Sequence, residues 1–343
     1  MRVTRETLIR IARETAQERA YNNEKDVIAA YLTGSLLGDA DPMIGGTADI
    51  DLVFVHAASP MQVREFVRLT PDFHLDISHR ARADFKSPRE LRGDPWLGWE
   101  MFAPMLIFER EKFFDFTLAA VRGGSDFESA PMVLQRCRQM LSHGRQIWFD
   151  LSDIGEKAGP KEVTKYMKSL FHAGNAVAEL NGPPIYERRF LLDFPARAET
   201  AERPGMATGM LGLLGVPGGM DPGVIIGWLE DWKSAFNAAA ETSGRDARIN
   251  SARLNYYEKA IRAILETETP EAALWPLLNT WTLSVAALPD GWTGPWRLAC
   301  EPLGLVGARF AEHVEGLDQF LDEVEILLDE VAAANGLETW KTG

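Results

Sequence analysis

The hydrophobic period of this chain changes near residue 125, and that change limits its fold more than any other feature. Before it, apolar residues come in short runs at 27–32 and 51–55 and in the alternating FHLDIS of 73–78. Such runs, bounded by Gly, Pro and Asp, read as strands. Residues 4–22 form an amphipathic helix, and 60–69 fits a second helix with Pro60 in its first turn. Residues 101–108 read as a strand and 114–121 as a helix, and the RGGS of 122–125 reads as a boundary. Beyond it the period is helical, over 131–151, 161–180, 224–240, 248–267, 270–287, 296–314 and 317–334. The Gly-, Pro- and Met-rich stretch 203–223 reads as a long loop. The expectation is an α+β chain, with a small mixed-sheet domain over 1–125 and an all-α domain over 126–343.

At 343 residues and 46% hydrophobic, such a chain can bury its cores without staples. Its two cysteines, Cys137 and Cys300, make no disulfide framework and match no zinc spacing. The charged N-terminus lacks the apolar core of a signal peptide, and no run of about 18 apolar residues occurs. A cytoplasmic setting without a membrane partner is expected. The net charge of -14 disfavours general nucleic-acid binding, which draws on Lys and Arg at phosphates, and suits a cationic small molecule. Residues 312–330 carry eight acids and no Lys or Arg around an apolar stripe, and read as a helix with one buried and one solvated acidic face. Eight of the ten Trp lie beyond residue 140, where they read as core filling or as part of an oligomer interface.

Four acids, Asp39, Asp41, Asp49 and Asp51, crowd the segment before and at the second strand. Asp39 and Asp41 lie among Pro42, Gly45 and Gly46 and read as turn residues. Asp49 and Asp51 differ. Strand side chains alternate, so these two point the same way, roughly 7 Å apart along the strand. On the third strand Asp76 shares a face with His74 and Ser78. If that strand lies beside the second, three carboxylates meet, and like charges this close repel unless a cation sits between them. Hard oxygen ligands with room for water and phosphate suit Mg²⁺. The first strand ends at Gly34-Ser35, where backbone N–H groups and a hydroxyl can cradle phosphate oxygens. Neither a P-loop nor a dinucleotide fingerprint is present. A plainer reading of Asp76 pairs it with Arg80 or Arg82.

Gly34-Ser35, then Asp49-Ile50-Asp51 after the spacer 36–48, then Asp76 on a later strand, resembles the DNA polymerase β-like nucleotidyltransferase superfamily over about residues 25–122. With a helical domain behind it, the chain looks like stand-alone members such as the aminoglycoside nucleotidyltransferases. The resemblance implies a nucleotidyltransferase domain at 1–125 and a helical substrate-binding domain at 126–343. It implies Mg²⁺ held by Asp49, Asp51 and Asp76, with Gly34 and Ser35 at the nucleotide. NMP, most simply AMP from ATP, would pass to a small, cationic hydroxylated acceptor with release of pyrophosphate. The stretch 161–182 is similar to the first long helix of the helical domain in such enzymes, whose Lys or Tyr reaches the triphosphate. Lys161, Lys165 and Lys168 share a face there, and Lys165 and Lys168 are the candidates at the nucleotide. Glu100, among aromatic residues, is a further candidate base. Two rival readings are a toxin–antitoxin member modifying tRNA or protein, and a module that senses nucleotide without turnover.

Overall fold

The computed structural model describes residues 3–22, 26–38, 41–123, 127–152, 154 and 157–338. Asp39, read above as a turn residue, and Gly124 and Ser125 of the boundary lie outside them. The chain is α+β and divides into two compact units, Met1–Ser129 and Ala130–Gly343.

The first unit is built on a five-stranded mixed sheet. Its strands are β1 (Val27–Thr33), β2 (Ala48–His56), β3 (Arg64–Arg68), β4 (Phe73–Ala81) and β5 (Met105–Glu109), in the order β3-β4-β2-β1-β5. β1 runs antiparallel to β2 and β5, β2 parallel to β4, and β3 antiparallel to β4. Helix α1 (Arg5–Asn22) covers one face, burying Leu8, Ala12, Ala16 and Ala20, spaced every four residues, against Ile50, Leu52 and Phe54. Helices α2 (Pro88–Gly93), α3 (Leu97–Phe102) and α4 (Phe113–Arg122) cover the other, where Leu91, Met101 and Phe114 meet Tyr31, Val53 and Val55. β2 is therefore buried on both faces, which is why its sequence reads as a continuous apolar run.

Two expectations for this unit change. Residues 60–69 hold no helix but the edge strand β3. Parallel neighbours need a crossover, and here the chain passes beyond β4, forms β3 and returns through a tight turn. Pairing with β4 outweighs the local helical pattern. Met101 and Phe102 end α3, so the last strand begins only at Met105. On the α1 face, Asp26 bonds His56 Nδ1 at 2.9 Å, His56 Nε2 meets His79 Nδ1 at 2.9 Å, and His79 Nε2 lies 3.4 Å from Glu65, which also pairs with Arg19. This polar chain ties β3 to β1, β2, β4 and α1.

The second unit is helical among its described residues: α5 (Ala130–Phe149), α6 (Pro160–Ala178), α7 (Phe190–Thr200), α8 (Gly205–Leu213), α9 (Pro222–Ala240), α10 (Leu254–Leu265), α11 (Leu274–Ala286), α12 (Thr293–Cys300) and α13 (Phe310–Ala334). α6 packs on α5 and α11, and α13 on α5. Trp232, Trp275, Trp281 and Trp296 are buried, and Trp232 and Trp296 donate to Thr280 and Thr282. The expected long loop at 203–223 contains α8, because Met206, Met210 and Leu213 bury one face despite three glycines. The expected helix at 296–314 breaks after Cys300, where Pro302, Gly304 and Gly307 intervene. α13 has the predicted buried stripe, but its acidic face is not merely solvated. Arg145 binds Asp318, Asp322 and Glu325, and Arg138 binds Asp329. No described helix is long and apolar enough to cross a membrane.

Candidate metal centre

β2 and β4 run side by side in parallel, with Asp51 opposite Asp76 and Asp49 opposite His74. Opposed residues share a face, so alternation within β2 and register with β4 bring the three acids together. A ligand oxygen from each of Asp49, Asp51 and Asp76 lies within 4.8 Å of the other two. Asp49 and Asp76 are 7% and 3% exposed, and Asp51 is half-buried. Among the described residues this is the one group of three or more His, Cys, Asp or Glu side chains compact enough for a metal ion.

Gly34 is shaped around this group. It follows β1, whose Thr33 pairs with Asp51. Its φ of 79° and ψ of -160° fall in a region open to glycine almost alone. A Cβ built there would stand 2.0 Å from Asp51 Oδ2, so the carboxylate occupies the space a side chain would take. Two independent constraints thus require glycine at this position. Ser35 opens a single 3₁₀ turn, Ser35–Leu37. Its Oγ is buried without a hydrogen-bond partner. A hydroxyl left in this way suits an incoming acceptor.

Asp76 pairs with neither Arg80 nor Arg82. Its partner is Arg64 on β3, whose Nε donates to Oδ1 at 2.7 Å and Nη2 to Oδ2 at 2.5 Å. Arg64 was hidden by the helix assigned to 60–69. The signal that would have found it is the alternation of Arg64, Phe66 and Arg68 on one side of REFVR. Arg80 instead binds both oxygens of Glu100, at 3.1 and 2.6 Å, and Tyr31 donates to the same carboxylate at 2.5 Å. Burial alone would lower the Arg80 pKa, but Glu100 and Tyr31 outweigh it and hold the guanidinium charged well above its ordinary range. Burial, then the Glu100 charge, pushes the Tyr31 hydroxyl well up. Arg80 stands four residues beyond Asp76, about 13 Å along the strand. Glu100, a candidate base by sequence, is thus the anion of a separate, closed network.

The remaining candidates fall as follows. His74 shares the acid face, as alternation requires, and is 1% exposed. Asp41 Oδ1 accepts from the Met43 N–H at 2.9 Å, which is turn chemistry. Lys165 and Lys168 are exposed on α6 in the helical unit, and Lys165 Nζ pairs with Asp150 at 3.0 Å. Neither a protein-family model nor a curated protein matches the sequence.

Proposed function

We propose that this chain is a Mg²⁺-dependent nucleotidyltransferase that moves NMP, most simply AMP from ATP, to a hydroxyl of a small cationic acceptor. The observation that carries the proposal is the meeting of Asp49, Asp51 and Asp76 within 4.8 Å beside a position that only glycine can fill. The donor set fits the ion: three carboxylates and no nitrogen or sulfur ligand are what a hard divalent cation takes. A mixed sheet with Gly-Ser after β1, Asp-Ile-Asp opening β2 and Asp76 on its parallel neighbour supports a polymerase β-like arrangement in residues 1–125. Residues 126–343 would then form the acceptor-binding domain.

In this reading Asp49, Asp51 and Asp76 hold the metal, which when bound stabilises the charge on the attacking and leaving oxygens. The chain's own groups do the rest. Gly34 lets its backbone approach the nucleotide closely, and Ser35 Oγ donates to a phosphate oxygen. Lys165 and Lys168 stay the candidate cations for the triphosphate. The acceptor oxygen bonds to the α-phosphorus, the bond to the β-phosphate oxygen breaks, and pyrophosphate leaves. The acceptor's proton goes to a carboxylate, and Asp76 is the candidate. Positioning and charge stabilisation account for most of the rate in such transfers.

A second reading is favoured by one observation. The Arg64 fork takes up both oxygens of Asp76, which suits a nucleotide-sensing module without turnover. The test is to incubate the protein with Mg²⁺, each labelled NTP and pooled acceptors (aminoglycosides, lincosamides, tRNA, protein). Pyrophosphate release that falls about 100-fold or more in Asp49→Asn and Asp51→Asn is expected. Mg²⁺-dependent nucleotide binding without release on any acceptor favours the sensing module.

A further inference from the structure

Arg64 reaches into the acid group from an edge strand that has one neighbour. At the inner end its fork closes on Asp76, which is 3% exposed. The same guanidinium lies 5.2 Å from the centre of the Phe66 ring, and the side chain as a whole keeps 37% exposure. The residue thus joins a buried acid to a side chain still partly open to solvent.

Two physical properties follow from that position. The first is charge. A guanidinium held beside the acid group opposes entry of a bare cation. The second is shape. A planar guanidinium that meets a carboxylate at two points meets a phosphate equally well, and both bonds are charge-assisted. The same group can therefore leave Asp76 for a phosphate without losing its hydrogen bonds. Because β3 pairs only with β4, such a shift disturbs one strand ladder and leaves β2 undisturbed.

Resting on the nucleotidyltransferase reading above, we infer that Arg64 is a triphosphate-binding residue that exchanges partners. In the structure it pairs with Asp76. When metal and polyphosphate arrive together, Asp76 turns to the metal and the Arg64 fork passes to the phosphate oxygens. The exchange makes the site selective for a metal ion that brings a polyphosphate over the ion alone.

The test uses the full chain, Mn²⁺ followed by electron paramagnetic resonance, and inorganic tripolyphosphate in place of a nucleotide. In the wild type, Mn²⁺ alone binds weakly, and tripolyphosphate tightens it. In Arg64→Gln, Mn²⁺ alone binds roughly tenfold tighter, because a repelling charge is gone. Tripolyphosphate at saturating Mn²⁺ binds at least roughly tenfold more weakly. Opposite shifts of this kind cannot come from a merely damaged site, which would lose both ligands. Unchanged affinities, or a fall in both with the circular dichroism intact, overturn the exchange. Arg64→Lys keeps the charge and loses the fork, so it decides the matter if Arg64→Gln does not fold. Wild-type Mn²⁺ affinity with weakened tripolyphosphate binding supports the exchange, and two unchanged affinities overturn it. If the wild type binds no Mn²⁺, or binds it as well after Asp49→Asn, the metal centre itself fails. If the wild type binds Mn²⁺ and only the Arg64 shifts are missing, the exchange alone fails.

Discussion

The two units arrange buried charge differently, although each holds ion pairs, Arg64 with Asp76 among them in the sheet unit. In the helical unit, buried acid meets buried base. Arg136 on α5 and Glu179 just after α6 lie 3.6 Å apart with both side chains at 0% exposure. Arg253, 3% exposed, stands 3.3 Å from Glu187, whose carboxylate also accepts from Tyr257. In the sheet unit, Asp49, Asp51 and Asp76 are neighbours of like sign. The contrast recurs within one face of the sheet, where Arg80, Glu100 and Tyr31 form a matched group a few residues along from the three acids. Opposite charges in contact are a structural solution, whose removal leaves an ion stranded. Like charges in contact oppose folding, which is the physical argument behind the cation proposed above.

The largest expected effect tests the paired side of this contrast. Glu179→Gln removes the carboxylate that faces Arg136 in a fully buried ion pair. A loss of about 3–5 kcal/mol from the helical unit is expected, read by denaturant unfolding followed through its buried tryptophans. A loss below about 1 kcal/mol would mean that Arg136 is held by other groups, and the one-to-one matching would be wrong.

A smaller effect is expected from a titrating group in the same unit. Burial, with His143 and Lys168 adding to it, pushes the His172 pKa down from 6.5 to about 4. The folded chain therefore keeps His172 neutral while the unfolded chain takes up a proton below its ordinary pKa. The unfolded state binds more protons between these values, so stability rises with pH there. The contribution is complete above about pH 6.5 and is lost as pH falls towards 4, a change of roughly 3 kcal/mol. In His172→Gln the acid limb of helical-unit stability between pH 7 and 4 is expected to flatten by that amount. Equal slopes in variant and wild type would assign the acid sensitivity elsewhere.

The same contrast explains what could be read from sequence. Strand alternation alone places Asp49 and Asp51 on one face, because period two is a local property. Their meeting with Asp76 needs β4 beside β2 in the right register, which is a tertiary fact. FHLDIS carried it only through the oddness of an acid inside a strong strand. Arg64 was lost because Met61, Val63, Phe66 and Val67 fit a helical face as well as a strand, and only β4 decides between them. In the helical unit α8 was missed for the opposite reason. Its glycines at 205, 209 and 212 argue locally for a loop, whereas Met206, Met210 and Leu213 are held helical by the core they fill. Gly34 was legible as a residue that permits close approach. That the approaching group is Asp51 itself was not.

The smallest expected effect is the most diagnostic. Asp49→Asn keeps the shape of the side chain and replaces its carboxylate by an amide. Without metal its effect on the sheet unit should stay within about 1 kcal/mol, read as amide hydrogen exchange along β2 and β4. Millimolar Mg²⁺ should then separate the two proteins. Binding to the folded state alone adds stability in proportion to the logarithm of ligand over Kd, and in the proposed site only the wild type keeps all three carboxylates. If Asp49 serves the fold, the difference between variant and wild type is the same with and without Mg²⁺. If it serves a cation, Mg²⁺ stabilises the wild type and leaves the variant where it was.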